Sequence, residues 1–260
     1  QQGSIMGEGE EHPTPSHLTI VQLIPNMLTI AAICAGLSAI RFGIEGNYVL
    51  AVQLILAACV LDGLDGRLAR LLNSDSKMGA ELDSLADFVN FGIAPALVIY
   101  FWALQDLRGI AWITVLIYAI CCVVRLARFN VTAKSDTPED KDTAGAYFTG
   151  IPSPAGALLA MLPMFLSFAF ADAPLLPDVV ICLHLILVGW AMIARFPVWS
   201  FKTAKISRNN VKFFLVGFAV LGSAVLIYAW ITLVVLCVAY LIVVFWSILS
   251  HRISEDRKGH

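Results

Sequence analysis

Residues 48–70 read YVLAVQLILAACVLDGLDGRLAR, an apolar run from Tyr48 to Leu61 that ends in two aspartates and two arginines. As a helix this stretch is roughly 34 Å long, enough to cross the hydrocarbon core of a bilayer. An ionised carboxylate near a bilayer is costly and needs a paired charge, a water-filled cavity or a metal ion. Asp62 and Asp65 are three residues apart and share one helix face. The next apolar segment carries Asp83 and Asp87, four apart and again on one face. Two such helices facing each other bring four carboxylates together. Divalent cations are the natural counter-charge.

The surrounding chain fits a membrane setting. Of its 260 residues 59% are hydrophobic and 14% charged, with a mean hydropathy of +0.81 and a net charge of -2. This excludes an ordinary soluble globular protein and points to an all-α, polytopic membrane bundle. Cys34, Cys59, Cys121, Cys122, Cys182 and Cys237 all fall in apolar runs without metal-type spacing. They read as small buried hydrophobes, neither disulfides nor a zinc site. No nucleic-acid partner is expected. The first apolar run starts after about two dozen polar residues and lacks the short core and cleavage pattern of a signal peptide, so none is expected. Gln1 to Ser4 read as an expression scar ahead of Met6.

Eight spans are expected, at 26–44, 48–70, 81–104, 110–130, 154–171, 177–199, 212–229 and 231–250. The division between the last two is the least marked. The chain then divides into a tail at 1–16, a segment at 17–25, a six-helix core at 26–199, two further helices at 200–250 and a tail at 251–260. Residues 17–25 read either as an interfacial amphipathic piece or as a plain linker. With both termini cytoplasmic, Arg67, Arg70, Lys77, Arg128, Lys134, Lys202, Lys205, Arg208 and Arg252 fall at cytoplasmic ends, with Arg41 and Arg108 opposite. That asymmetry follows the positive-inside rule. It sets the four aspartates at the cytoplasmic boundary, within reach of a water-soluble ligand. The loop at about 131–150 lies on the same side, as a cover for a site or as a solvated connector.

Extended, the motif runs Asp62, Asp65, Gly66, Ala69, Arg70, then Gly79, Asp83 and Asp87. Gly66 lies one turn beyond Asp62, Ala69 one turn beyond Asp65, and Gly79, Asp83 and Asp87 form a stripe. Small residues beside carboxylates leave room for something flat and polar. Arg70 has the fork that suits a phosphate. All-oxygen ligands favour Mg2+, Mn2+ or Ca2+ over zinc or copper. Two such ions balance four aspartates and could polarise a diphosphate. A carboxylate at the edge could deprotonate an attacking hydroxyl. The bland alternative is ion pairing with Arg67, Arg70 and Lys77.

This pattern resembles, position for position, the signature D-x-x-D-G-x-x-A-R-(x)8-G-x-x-x-D-x-x-x-D of the CDP-alcohol phosphatidyltransferases. The resemblance implies transfer of a phosphatidyl group from a CDP-linked lipid to a hydroxyl, with release of CMP. It implies metal ligation by Asp62, Asp65 and Asp83, with Asp87 in the metal site and also the base. Gly66, Ala69 and Gly79 would make space for the cytidine, and Asp65 and Arg70 would contact the nucleotide. Asn26, in the stretch Pro25-Asn26-Met27-Leu28-Thr29, could reach the diphosphate or simply start a helix.

Residues 88–96, 125–130 and 148–155 resemble the bacterial and archaeal phosphatidylserine synthases, a branch of that family. L-serine is then the expected acceptor and CDP-diacylglycerol the donor, at the cytoplasmic face of a prokaryotic inner membrane. Membrane lipids and a homodimer partner are also expected. A zwitterionic amino acid needs a cation for its carboxylate, so Arg125, Arg128 and Asn130 are serine-site candidates. Either arginine could equally hold a lipid phosphate or a neighbouring aspartate. Other acceptors in the same family are glycerol phosphate, inositol phosphate and choline. A divalent-cation transporter is the rival from another class, but it predicts acidic residues through the membrane depth or internal repeats. Arg195, Lys202 and Lys205 could hold the lipid diphosphate or only anionic headgroups. His184 reads as packing, and Gly217 and Gly222 as close helix approach.

Overall fold

The structure, a computed structural model, describes residues 20–72, 76–134, 147–171, 174–194, 197–199, 217, 220 and 222–256. Its helices are α1 (Ile20–Ile44), α2 (Tyr48–Leu71), α3 (Lys77–Asp87), α4 (Ala94–Ala103), α5 (Arg108–Lys134), α6 (Ser153–Ala160), α7 (Leu162–Phe170), α8 (Asp178–Ile193) and α9 (Ala229–Asp256). Among the described residues five stretches are long and apolar enough to cross a membrane, and the bent pair α6–α7 makes a sixth if it is one span. Residues 222–227 are helical as well; most of the expected span at 212–229 lies outside the described residues. So do Arg195, Lys202, Lys205 and the loop from 135 to 146.

α1 and α2 form a hairpin closed in three residues. Gly46 adopts a φ of 80° and Asn47 caps α2 by accepting from the Leu50 N–H at 3.3 Å. Ser76 caps α3 in the same way, accepting from Gly79 N–H at 2.9 Å. Between α3 and α4 the chain makes a π-helical turn, Phe88–Ile93, directly after Asp87. The expected span at 81–104 is therefore one continuous helical rod that starts earlier and widens midway. Tyr118 of α5 braces that turn, its hydroxyl donating to the Phe91 carbonyl at 3.0 Å. The core is built from Phe91, Tyr118, Ile55, Ile99 and Phe165, all buried. Val60, Ile113, Phe245 and Trp246 are exposed, as faces turned to acyl chains would be.

Four expectations differ in detail. The span expected at 154–171 bends by 42° between Ala160 and Leu162. Pro163 explains it, because proline cannot donate to the carbonyl four residues earlier and its ring crowds that group. That carbonyl, Leu159, is contacted by His184 Nε2 at 2.7 Å, so the packing histidine also occupies a backbone acceptor. The helix expected to reach 199 ends at Ile193. Pro197–Trp199 instead forms a short strand, β2, antiparallel to β1 (Tyr147–Thr149), so among the described residues the regular structure is helical apart from this one ladder. Gly150 beside it has a φ of 84°, and a Cβ there would lie 2.6 Å from the Met192 carbonyl. Only glycine fits that turn. Residues 20–25 are not a separate element, since α1 runs unbroken through Pro25. Finally, α9 extends beyond the expected 231–250 at both ends, following a bend at Tyr228.

All six cysteines are free, and four of them are buried. Gly217 and Gly222 have no atom within 4 Å of an added Cβ, so neither makes a close helix contact among the described residues.

Candidate active site

The aspartates come from two helices held against α1. Asp62, Asp65 and Asp83 each bring a carboxylate oxygen within 4.8 Å of the others. Asp65 is 3% exposed, Asp62 half-buried and Asp83 exposed, so the cluster leads from the interior to an open mouth. Thr29 of α1 holds Asp65, its hydroxyl donating to Oδ2 at 2.6 Å. The other oxygen, Oδ1, is buried without a protein partner among the described residues. Asp87 joins the group one step deeper. Its side chain lies beside that of Asp62, and its Oδ1 is likewise buried and without a hydrogen-bond partner among the described residues.

None of the four forms a salt bridge with a described residue. The ion pair found there is Arg41–Glu45, far along α1, and Arg70 turns back to donate to the Gly66 carbonyl at 2.9 Å. The alternative of plain ion pairing with Arg67 or Arg70 thus finds no support. Like charges a few ångströms apart repel by about 1 kcal/mol per pair even in water, and by more in a less polar medium. Three clustered carboxylates, one with an unsatisfied buried oxygen, form an all-oxygen donor set. That set fits a hard divalent cation.

Beside the cluster lies a cavity of about 430 Å³ lined by Asn26, Thr29, Asp65, Gly66, Ala69, Arg70, Ser76, Gly79 and Asp83, among others. Every residue proposed from sequence for the nucleotide is in that lining. The two glycines serve differently. A Cβ on Gly66 would meet nothing within 4 Å, so this glycine leaves open volume at the cavity. A Cβ on Gly79 would lie 3.0 Å from both Asn26 Oδ1 and Ser76 Oγ, so this one lets the start of α3 approach α1. A glycine inside a helix costs about 1 kcal/mol relative to alanine. At Gly66 no packing contact with a described residue offsets that cost.

The acceptor candidates separate. Arg128 Nη1 donates to the Ile193 carbonyl at 2.7 Å and so closes the C-terminal end of α8. Asn130 pairs with Ser84 of α3, donating from Nδ2 at 2.9 Å. Arg125 is the one directed to the centre, hydrogen-bonded to Ser153 Oγ and interacting electrostatically with Asp87. Thr29 and Ser76 were not singled out from sequence. Thr29 stands in the quoted Pro25–Thr29 stretch, but its partner Asp65 is 36 residues away and only the fold joins them.

Comparison with known proteins agrees with this geometry. The sequence model of the CDP-alcohol phosphatidyltransferase family matches residues 22–199. Three relatives are each named CDP-diacylglycerol--serine O-phosphatidyltransferase. The one from Mycobacterium leprae is 36% identical over 232 residues, 89% of this chain and 76% of its own length. The Helicobacter pylori (strain 26695) relative is 34% identical over 193 residues, 74% of this chain and 77% of its own. The Bacillus subtilis relative is 41% identical over 140 residues, 54% of this chain and 74% of its own. With Asp65, Asp83, Gly66, Gly79 and Arg70 assembled around one cavity and the family model matching residues 22–199, the chain belongs to the CDP-alcohol phosphatidyltransferase family.

Proposed function

We propose that this protein is a phosphatidylserine synthase, joining the phosphatidyl group of CDP-diacylglycerol to the hydroxyl of L-serine and releasing CMP. The observation that carries the reading is the three-carboxylate cluster opening onto a cavity lined by Asn26, Gly66, Ala69, Arg70 and Gly79. The relatives' names support serine as the acceptor.

In this reading the CDP moiety occupies the cavity, with cytidine over Gly66, Ala69 and Gly79 and the diphosphate toward Arg70 and Asn26. Asp62, Asp65 and Asp83, with Asp87 through its link to Asp62, hold two divalent cations, Mg2+ or Mn2+, with Ca2+ as another possible occupant. Bound there, the cations supply Lewis-acid polarisation of the diphosphate and counter-charge for the leaving group. Thr29 fixes the Asp65 carboxylate so that its second oxygen faces the site. Arg125 offers its guanidinium to the serine carboxylate, with Arg128 and Asn130 keeping the ends of α5, α8 and α3 in register around it. The serine hydroxyl then attacks the phosphorus bearing the diacylglycerol and its proton passes to Asp87. A new P–O bond forms as the P–O bond to CMP breaks, and CMP departs with that electron pair.

The same reading has eight spans with both termini on the cytoplasmic side, a core at 26–199 followed by two further helices, and a homodimer in the prokaryotic inner membrane. The positive-inside bias supports that orientation, and an active site at the cytoplasmic boundary receives serine and metal from water and the lipid donor laterally from the bilayer.

Purified protein given CDP-diacylglycerol and a panel of serine, glycerol phosphate, inositol phosphate and choline is expected to release CMP with serine alone. Equal release with inositol phosphate or glycerol phosphate in the absence of serine defeats the assignment. Gly66→Val puts a branched side chain into the cavity at a position where an added Cβ meets no described atom of the surrounding elements within 4 Å. It is expected to raise the KM for CDP-diacylglycerol about ten- to a hundredfold, from a steric cost of about 1–3 kcal/mol. An unchanged KM would move the cytidine elsewhere.

A further inference from the structure

Beyond the family-matched region, α9 brings Tyr240 into electrostatic range of Arg125. The Tyr240 ring lines a cavity of about 220 Å³ between α6 and α9, together with Ala155, Leu158, Leu159, Leu233 and Cys237. Cys237 Sγ donates to the Leu158 carbonyl at 3.7 Å, which fixes α9 against α6 at this level. The Tyr240 hydroxyl is buried and has no hydrogen-bond partner among the described residues. A buried hydroxyl left unpaired costs about 1–3 kcal/mol, so its position calls for an explanation.

Its surroundings supply one. Ala155 lies half a turn from Ser153, and Ser153 is the hydrogen-bond partner of Arg125. The Tyr240 hydroxyl is within electrostatic range of the Arg125 guanidinium, which in turn faces Asp87. Arg125 presents five N–H donors, and Ser153 is its hydrogen-bond partner among the described residues. Two donors with capacity to spare, Arg125 and Tyr240, thus interact with each other electrostatically, and Arg125 interacts in turn with the acceptor Asp87. An amino-acid acceptor has the matching groups, a carboxylate for the donors and a hydroxyl for the acceptor.

We infer that Tyr240 is a specificity-determining residue, its hydroxyl and the Arg125 guanidinium together receiving the carboxylate of the amino-acid acceptor. This rests on the proposed use of serine. It also gives α9, which lies outside the family-matched region, a task in the reaction.

The test is Tyr240→Phe in the full-length protein, which keeps the ring and the cavity wall and removes only the hydroxyl. A hydrogen bond to a charged group sets the expected effect, a rise of about tenfold or more in the KM for serine. The KM for CDP-diacylglycerol and kcat should stay within about twofold. L-Serinamide keeps the hydroxyl and the amine but lacks the carboxylate, so its turnover should be equal in the two proteins. A serine KM unchanged by the substitution overturns the inference, as does a shift in the KM for CDP-diacylglycerol instead, which would assign the anion to the donor phosphate. An equal loss with serine and serinamide overturns it too. If the unaltered protein turns over no serine, the proposed function itself falls. If it does and Tyr240→Phe matches it, only the role of Tyr240 is lost.

Discussion

Asp87→Asn should lower kcat by about 10²–10⁴, the range over which a positioned general base contributes. The substitution keeps the shape of the side chain while removing the proton acceptor and one of the four negative charges at the proposed metal site. The amide has nearly the shape of the carboxylate and can donate to the neighbouring Asp62 carboxylate. Asp87 lies outside the three-carboxylate cluster, so Asp87→Asn should spare CDP-diacylglycerol binding more than Asp62→Asn does. Asp62→Asn is expected to behave differently. Asp62 belongs to the three-carboxylate cluster, and its loss should weaken binding of both metal and CDP-lipid as well as turnover. The comparison needs steady-state CMP release for each variant and a direct binding measurement with CDP-diacylglycerol. A fully active Asp87→Asn protein would remove Asp87 from the role of base.

The second large effect is that of the metal. Chelation of divalent cations should reduce CMP release roughly 10³-fold, corresponding to several kcal/mol of lost charge stabilisation at the diphosphate. Mg2+ or Mn2+ added back should restore it. The physical basis is the geometry of Asp62, Asp65 and Asp83, whose oxygens lie within 4.8 Å of one another with no salt bridge to a described cation. Replacing Asp65 by Asn should shift the restoring metal concentration upward, since Asp65 is the buried member and the one whose free oxygen Thr29 orients. Undiminished turnover in excess chelator would mean that the cluster serves some other purpose.

Much of this site could be read directly from the chain because helical periodicity carries local geometry. Asp62 and Asp65, or Asp83 and Asp87, must share a face whenever their segments are helical. The small residues at Gly66, Ala69 and Gly79 keep their places relative to those faces for the same reason. Capping was equally local, as Asn47 and Ser76 act on N–H groups three residues ahead. Breaks in periodicity were less legible. Pro163 marks a disturbance, but the bend it gives also depends on His184, 25 residues from Leu159, meeting the freed carbonyl. The π-helical turn after Asp87 carries no composition that separates it from an ordinary helix, and its stabilising partner Tyr118 comes from α5.

The sequence by itself determined a membrane-embedded helical chain, the pairing of carboxylates on two helix faces, and the chemistry such pairs invite. Those follow from hydrophobic length and from a period of 3.6 residues, which require no knowledge of the partners. The tertiary structure decided which carboxylates cluster and which one stands apart, that Thr29 orients Asp65, and that Arg125 faces the centre while Arg128 and Asn130 tie helices together. It also decided that Tyr240, more than a hundred residues beyond Arg125 and featureless in its own apolar helix, comes into range of it. These are choices of packing between segments distant in the chain, and no local pattern encodes them.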